Sequence, residues 1–150
     1  MDARQELHSI RSLEAAYQIG DVVYAVLTSG TTTTMVQDST ALFHADHSNL
    51  AGTAALPTVT SVGAGRTAMA TQTDSIGNAT LNIRPSYLLC PVALEDQSRV
   101  LMSAEMDPSI TTRGGKPNPL RGMAEVITDA RLDANSTTAW YLAASGCLLY

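Results

Sequence analysis

The residues of this sequence that are best suited to chemistry lie in the segment His44-Ala45-Asp46-His47. Imidazole nitrogens and a carboxylate are common ligands of zinc and iron, so these side chains are the candidate metal site of a small metal-dependent hydrolase. Histidines three residues apart share one side of the chain only in a helix, and this stretch has the composition of a loop or a strand. The remaining histidine, His8, lies far upstream. The alternative is structural, with both imidazoles bonded to backbone groups of a long loop.

Two other catalytic motifs are less complete. The serines of segments 61–65 and 145–146 lack the glycines that flank the nucleophile in a G-x-S-x-G elbow, so a serine hydrolase is not predicted. Gly63-Ala64-Gly65 has neither a preceding strand nor the third glycine of a dinucleotide-binding loop. From these residues we expect a protein that is not an enzyme and that carries no cofactor.

Composition limits the class of protein. The chain has 150 residues, of which 45% are hydrophobic, and a mean hydropathy of +0.03, which suits one globular core rather than a disordered chain. No apolar run approaches the roughly 20 residues of a membrane-spanning helix. Residues 1–6 lack the order of a secretory signal, so the cytoplasm is the expected compartment. The net charge of -5 argues against a dedicated nucleic-acid reader.

Charged residues are scarce, at 15% of the chain against about 25% in a typical soluble domain. One interpretation is an apolar surface that meets a partner. The other is an ordinary surface on which alanine and threonine replace charge. Cys90 and Cys147 are too few for a disulfide framework or a metal cage, and we expect them to be buried free thiols.

Hydrophobic periodicity predicts one helix over residues 1–30. Ser29-Gly30 ends it, and its apolar positions recur at steps of three, four and seven residues: Ile10, Leu13, Tyr17, Tyr24 and Leu27. Residues 31–57 have no helical period and are rich in polar side chains, so they form a long connection of the kind that is usually functional. We expect this connection to pack poorly on its own domain. Within it, residues 41–43 are predicted to be a short buried strand anchored by Phe43.

From residue 58 onward, helices and strands follow one another. Thr58 is expected to cap a helix that ends near Gln72, and Pro91 to open a helix that ends near Ser103, with Leu94, Leu101 and Met102 in the core. The remaining elements are turn 74–78, strands 79–83 and 87–89, loop 106–121, strand 123–128, turn 133–136 and strand 138–143. This order predicts an α+β domain whose small sheet is covered by helices.

Three side chains are candidates for contact with a partner: Phe43, Arg84 and Tyr141. Arg84 precedes Pro85, which holds the Arg84 backbone extended and fixes the direction of the guanidinium. The alternative for Arg84 is a solvated strand break. Trp140 and Tyr141 alternate across a strand, so one is expected to be buried and the other to point outward, where tyrosine is a favoured interface residue.

Three ordered stretches resemble the major head subunit of Mu-like phages and prophages. Residues 42–51, LFHADHSNLA, are similar to the family's LFHAxHGNLA, and residues 81–95, LNIRPSYLLCPVALE, to its LNIRPxxLLVPxALE. The third stretch resembles the family's NPF…LEVVxDPRL…AWYL and consists of residues 118–120, 125–133 and 139–142. The departures are small, with Ser48, Cys90 and Ala130 in place of a usual Gly, Val and Pro.

This resemblance implies a structural protein of the Hong Kong 97-type capsid fold, which tiles an icosahedral head as hexamers and pentamers of itself. It implies that residues 1–30 are the end of a spine helix and residues 31–57 a loop that touches a neighbour. Residues 58–150 would then be an A-domain-like α+β portion, truncated at the C-terminus. The further partners implied are a scaffold, a maturation protease and non-specifically bound DNA, with no membrane. The implied location is the virion capsid, and the bacterial cytoplasm before assembly.

Family members extend past both ends of these 150 residues, so the resemblance implies a central fragment. We expect the fragment alone to associate without forming closed shells. Two alternatives stay open: an inactive prophage remnant, and the metal-dependent hydrolase that would use His44, Asp46 and His47.

Overall fold

A three-stranded sheet organises the computed structural model, which describes residues 21–35, 38–73, 79–111 and 115–145. Its strands are β1 (Tyr87–Cys90), β2 (Glu125–Thr128) and β3 (Tyr141–Ala143), in the order β2-β1-β3. Strand β1 is parallel to β2 and antiparallel to β3. The helices are α1 (Asp21–Ser29), α2 (Val59–Thr71), α3 (Glu95–Ser103) and α4 (Ala130–Asn135), with 3-10 turns at Ala45–His47 and Val92–Leu94.

The central strand is apolar on both faces, and its side chains alternate between two cores. Leu88, fully buried, lies in the first core with Val62, Leu101, Met102 and Leu120. Leu89 lies in the second core with Leu27 and Leu132. Because successive side chains of a strand point to opposite faces, the pair Leu88-Leu89 requires helices on both sides of the sheet. Helices α2 and α3 supply the first cover, and α1 and α4 the second. This confirms the predicted small sheet with covering helices.

Helix α3 is the crossover between the parallel strands β1 and β2, which no short hairpin can join. Asn118, which is buried in the loop after α3, fixes the path of the chain from α3 to β2. Its Nδ2 donates to the carbonyl oxygens of Leu101 at 2.6 Å and Ala104 at 3.1 Å, and its Oδ1 accepts from the N–H of Leu120 at 3.0 Å. The side chain therefore satisfies carbonyls at the end of α3 and places Leu120 in the first core.

Two polar caps fix where α2 and α4 begin. Thr58 Oγ1 accepts from the N–H of Ser61 at 3.1 Å, and Ser61 Oγ accepts from the N–H of Thr58 at 2.9 Å. This reciprocal pair confirms the predicted cap and the helix that follows. Asp129 accepts from the N–H of Arg131 at 2.9 Å and starts α4. The turn predicted at 133–136 is therefore wrong for 133–135, since this cap nucleates a helix from residue 130 to 135.

Helix α1 ends at Ser29, as the sequence predicts, against a close approach by Phe43. A Cβ added to buried Gly30 would lie 2.6 Å from the Phe43 ring and 2.6 Å from the Val26 carbonyl oxygen, so only glycine fits. Arg131 of α4 lies over the Tyr24 ring, 4.8 Å from its centroid, which ties α4 to α1. The earlier part of the predicted helix lies outside the described residues, including Ile10, Leu13 and Tyr17.

Two predicted strands are absent from the described chain. Residues 41–43 make only an isolated bridge between Thr34 and Ala41, because the Phe43 N–H bonds instead to the Gly30 carbonyl at 2.8 Å. Residues 79–83 make only the bridge between Thr73 and Thr80. Asn82, with φ of 49°, turns the backbone into the left-handed region and breaks the extended run.

Other boundaries differ from prediction by a few residues. Pro91 is extended and precedes the Val92–Leu94 turn, so α3 begins at Glu95 rather than at Pro91 and ends at Ser103 as predicted. The carboxylate of Asp133 accepts from the N–H groups of Val92 at 2.8 Å and Ala93 at 3.1 Å. Strands β2 and β3 occupy the ends of the two predicted strands at 123–128 and 138–143. The predicted turn 74–78 lies outside the described residues.

Cys90 is a buried free thiol, as predicted, and burial raises its pKa. Cys147 lies outside the described residues. Within the described ranges, no helix has both the length and the apolar character needed to cross a bilayer.

Replacement of Leu88 by alanine tests whether β1 is buried on both faces of the sheet. We expect Leu88→Ala to lower the free energy of unfolding by about 2–5 kcal/mol, because the cavity it leaves is enclosed by α2 and α3. The matched control is Leu81→Ala, whose side chain is 47% exposed and should lose less than about 1 kcal/mol. Urea unfolding followed by circular dichroism measures both. Equal losses would contradict the placement of Leu88.

Candidate functional site

The candidate metal ligands and two of the three candidate interface residues lie on or beside one long loop, which leaves α1 at Gly30 and reaches α2 at Thr58. The loop begins against the second core, where Phe43 packs, and ends against the first core, where Pro57 is buried and Val59 packs. It therefore passes beside the sheet from one face to the other. The side chains from residue 48 to residue 56 are all exposed.

His47 ties the first half of this loop together. Its Nε2 lies 2.6 Å from the Asp38 carboxylate and 3.0 Å from Thr40 Oγ1, and its Nδ1 lies 3.0 Å from the Leu42 carbonyl oxygen. A carboxylate and a carbonyl only accept, so both ring nitrogens donate. The geometry therefore favours the imidazolium form of His47.

The pKa values of this pair move in opposite directions. The hydrogen bond from His47, assisted by the Thr40 N–H, lowers the pKa of Asp38 from 3.8 to about 2. The hydrogen bond to Asp38, followed by that to the Leu42 carbonyl, raises the pKa of His47 above 6.5. The raised pKa of His47 means that its stabilisation is present below pH 6.5 and is lost as the pH rises through the raised value. The lowered pKa of Asp38 means that its stabilisation is lost only as the pH falls from 3.8 through about 2.

His44 caps the 3-10 turn that carries His47. Its Nδ1 accepts from the Asp46 N–H at 3.3 Å, and its own N–H bonds to Asn49 Oδ1 at 3.1 Å. The ring centroids of His44 and His47 lie 6.3 Å apart. A metal would need a free lone pair on His47, which its two hydrogen bonds do not leave. Among the described residues, no three His, Cys, Asp or Glu side chains are grouped as metal ligands.

Three side chains from other elements hold backbone carbonyls of the same loop. Gln72 Nε2 donates to the His47 carbonyl at 3.1 Å. Trp140 Nε1 donates to the Ala55 carbonyl at 2.8 Å, and Gln97 Nε2 donates to the Pro57 carbonyl at 2.7 Å. These bonds come from the end of α2, the start of β3 and α3. They fix the loop to the body at residues 47, 55 and 57, although the side chains of residues 48–56 face solvent.

Phe43 and Tyr141, two of the predicted interface residues, contact each other. Their ring centroids lie 5.8 Å apart, and the Tyr141 hydroxyl donates to the Leu27 carbonyl at 3.0 Å. Burial raises the pKa of Tyr141. Trp140 packs on the first core and Tyr141 on the second, so the two side chains alternate across the strand as predicted. The expectation that one would be buried and the other would point outward is wrong, because both faces of the sheet are covered and both side chains are half-buried.

Arg84 stands apart from this group. Its side chain is exposed beside buried Pro85, and no carboxylate of the described residues lies within ion-pair distance of it. Three further side chains of the site were not predicted from the sequence: Asp38, Gln72 and Gln97. Their partners are backbone carbonyls or a histidine up to 40 residues away, and no local spacing signals such bonds.

Titration of His47 tests this arrangement. We expect Asp38→Asn to lower the pKa of His47 towards 6.5, because the substitution removes the charged acceptor that holds the ring proton. Asp46→Asn is the matched control and should lower it less, since the Asp46 carboxylate acts only through space. NMR titration of the imidazole signals measures both pKa values. A larger shift in the Asp46 variant would show that the bond to Asp38 is misassigned.

Comparison with known families gives one decisive result. The profile of a family described as phage capsid protein matches residues 12–148, which is most of the chain and includes the loop, the sheet and the four helices of the described residues. No curated protein and no solved structure matches. The capsid role of this family is structural rather than enzymatic, and its location is the virion. The chain with this two-faced sheet and its fixed, exposed loop belongs to the phage capsid protein family.

Proposed function

We propose that this chain is a shell-forming subunit of a Mu-like phage or prophage head, built on the Hong Kong 97-type fold and without catalytic activity. The family match over residues 12–148 carries the proposal. The three ordered stretches at 42–51, 81–95 and 118–142 support the finer assignment to the Mu-like type. The covered α+β sheet is compatible with a capsid fold.

The proposal gives each part of the chain a role. Residues 1–30 form the end of the spine helix, residues 31–57 form a loop that reaches a neighbouring copy, and residues 58–150 form the A-domain-like portion. Repeated heterologous contacts between identical subunits close into hexamers and pentamers and then into an icosahedral shell. A scaffold and a maturation protease act during assembly, which takes place in the bacterial cytoplasm. Contact with the packaged DNA is non-specific, in keeping with a net charge of -5.

Arg84 is the outward-facing member of the three candidate interface residues. Its backbone is held by buried Pro85, and its exposed guanidinium is available for an acidic group of a neighbour. Phe43 and Tyr141 form one contact inside the subunit and, being half-buried, offer the remainder of their rings to the same neighbour.

Electron microscopy of particles tests this function. Expression of the complete reading frame that encodes these 150 residues is expected to give regular closed particles. Arg84→Glu should lower their yield at least about tenfold, because removing one member of a buried interface pair costs about 2–5 kcal/mol. Arg121→Glu is the control, since the Arg121 guanidinium already lies 3.0 Å from Glu105 in its own chain. A complete lack of particles, which is the behaviour of an inactive remnant, would contradict the proposal.

A further inference from the structure

We propose that the exposed loop at residues 48–56 docks onto the free edge of β2 in a second copy of this chain, in the groove between β2 and α3. This contact would be heterologous, with each copy giving its loop to one neighbour and its strand edge to another. The inference rests on the proposed shell function. It adds the two surfaces through which neighbouring copies would meet.

The loop at residues 48–56 has the properties of a segment that binds a partner. It contains no charged side chain, and Leu50 and Leu56 are 49% and 46% exposed. Among the described residues, no hydrogen bond reaches the N–H or C=O groups of residues 50–54. The segment is nevertheless fixed at both ends, by the bond from Asn49 Nδ2 to the Leu42 carbonyl at 2.7 Å and by the bond from Trp140 to Ala55. Fixed ends lower the ordering entropy that docking costs.

The free edge of β2 offers backbone N–H and C=O groups that match those of the loop. Glu125 and Asp129 direct their N–H groups to β1, at Ser86 and Cys90 respectively. Backbone groups alternate in direction along a strand, so Val126 and Thr128 direct theirs away from β1. Within the described chain, no further strand pairs with this side of β2. Added backbone is the usual occupant of such an edge.

The groove beside this edge is suited to an uncharged occupant. It has a volume of about 560 Å³ and is lined by Met102 and Ser103 of α3 and by residues 124–128. The one cation in its lining, Arg99, is already neutralised by Glu95 at 2.7 Å. The one carboxylate in the lining, that of Glu125, is exposed, so an acidic segment would be repelled there, whereas the loop at residues 48–56 brings no charge. The charges of the groove therefore favour the chain's own loop over an acidic partner.

The two surfaces are placed for head-to-tail association. Because the sheet order is β2-β1-β3, the free edge of β2 lies on the far side of β1 from β3. The loop lies on the β3 side, where Trp140 holds Ala55. Complementary surfaces on opposite sides of a subunit generate rings when the rotation closes. The loop at residues 48–56 supplies fewer residues than the roughly 20–30 a side of a stable pair, so the contact would persist only where each copy makes it twice.

Cysteine cross-linking tests the contact in the assembled protein. Thr53→Cys and Thr128→Cys are combined in one chain that also carries Cys147→Ser, and buried Cys90 is retained. Oxidation of the purified particles should produce covalent multimers, because disulfides form only between residues whose Cα atoms lie within about 7 Å. The control replaces Thr53→Cys by Ser109→Cys, which is equally exposed in another loop and should give at least about tenfold less cross-linking.

The outcomes separate this inference from the function on which it rests. Particles that form but show no more cross-linking than the Ser109→Cys control would overturn the loop-to-edge contact and leave the shell function intact. Monomers that cross-link within one chain would also overturn it. Failure of the unsubstituted protein to form particles would contradict the proposed function and, with it, the loop-to-edge contact. As a second variant, Thr53→Glu should reduce particle yield at least about tenfold, because it buries an unpaired charge, whereas Ser109→Glu should not.

Discussion

The burial of β1 on both faces is the constraint on which the rest of the structure depends. Leu88 and Leu89 point into different cores, so neither face of the sheet can be left to solvent. Burial of each leucine contributes about 1.5–3 kcal/mol, and the loss of either core would expose that side chain. The parallel pairing of β1 with β2 then requires a crossover, which is why α3 lies where it does and why Asn118 must return the chain beneath it.

The same constraint explains the long loop. Its start packs with Phe43 on the second core and its end packs with Val59 on the first core, so the loop must connect the two faces of the sheet. The loop contributes little apolar burial, and it is held instead by side chains that bond to its carbonyls. Backbone positions are thereby fixed while side chains remain exposed. This combination suits a capsid subunit, in which an ordered surface must meet another copy.

The elements that could be predicted from sequence are those with local signals. Thr58 opens a helix because its hydroxyl caps an amide three residues away, and the short apolar run at Leu88 next to the Arg84-Pro85 break predicts a buried strand. The failures come from contacts distant in sequence. Phe43 gives its N–H to Gly30 rather than to a strand, and Asn82 adopts a left-handed conformation that an alternating pattern conceals. At the candidate site, the His44 cap follows from local chemistry, whereas the bond from Trp140 to Ala55 spans 85 residues.

In the proposed contact, a sheet buried on both faces presents a loop whose backbone groups bond to another copy. Hydrogen exchange, followed residue by residue in the free chain and in assembled particles, tests it most directly. We expect slow exchange for the amides of β1 in both samples. Residues 50–54 should exchange rapidly in the free chain and slowly in particles, because only assembly provides acceptors for their N–H groups. Exchange at residues 50–54 that is as slow as in β1 in the free chain, or that stays rapid in particles, would contradict the account.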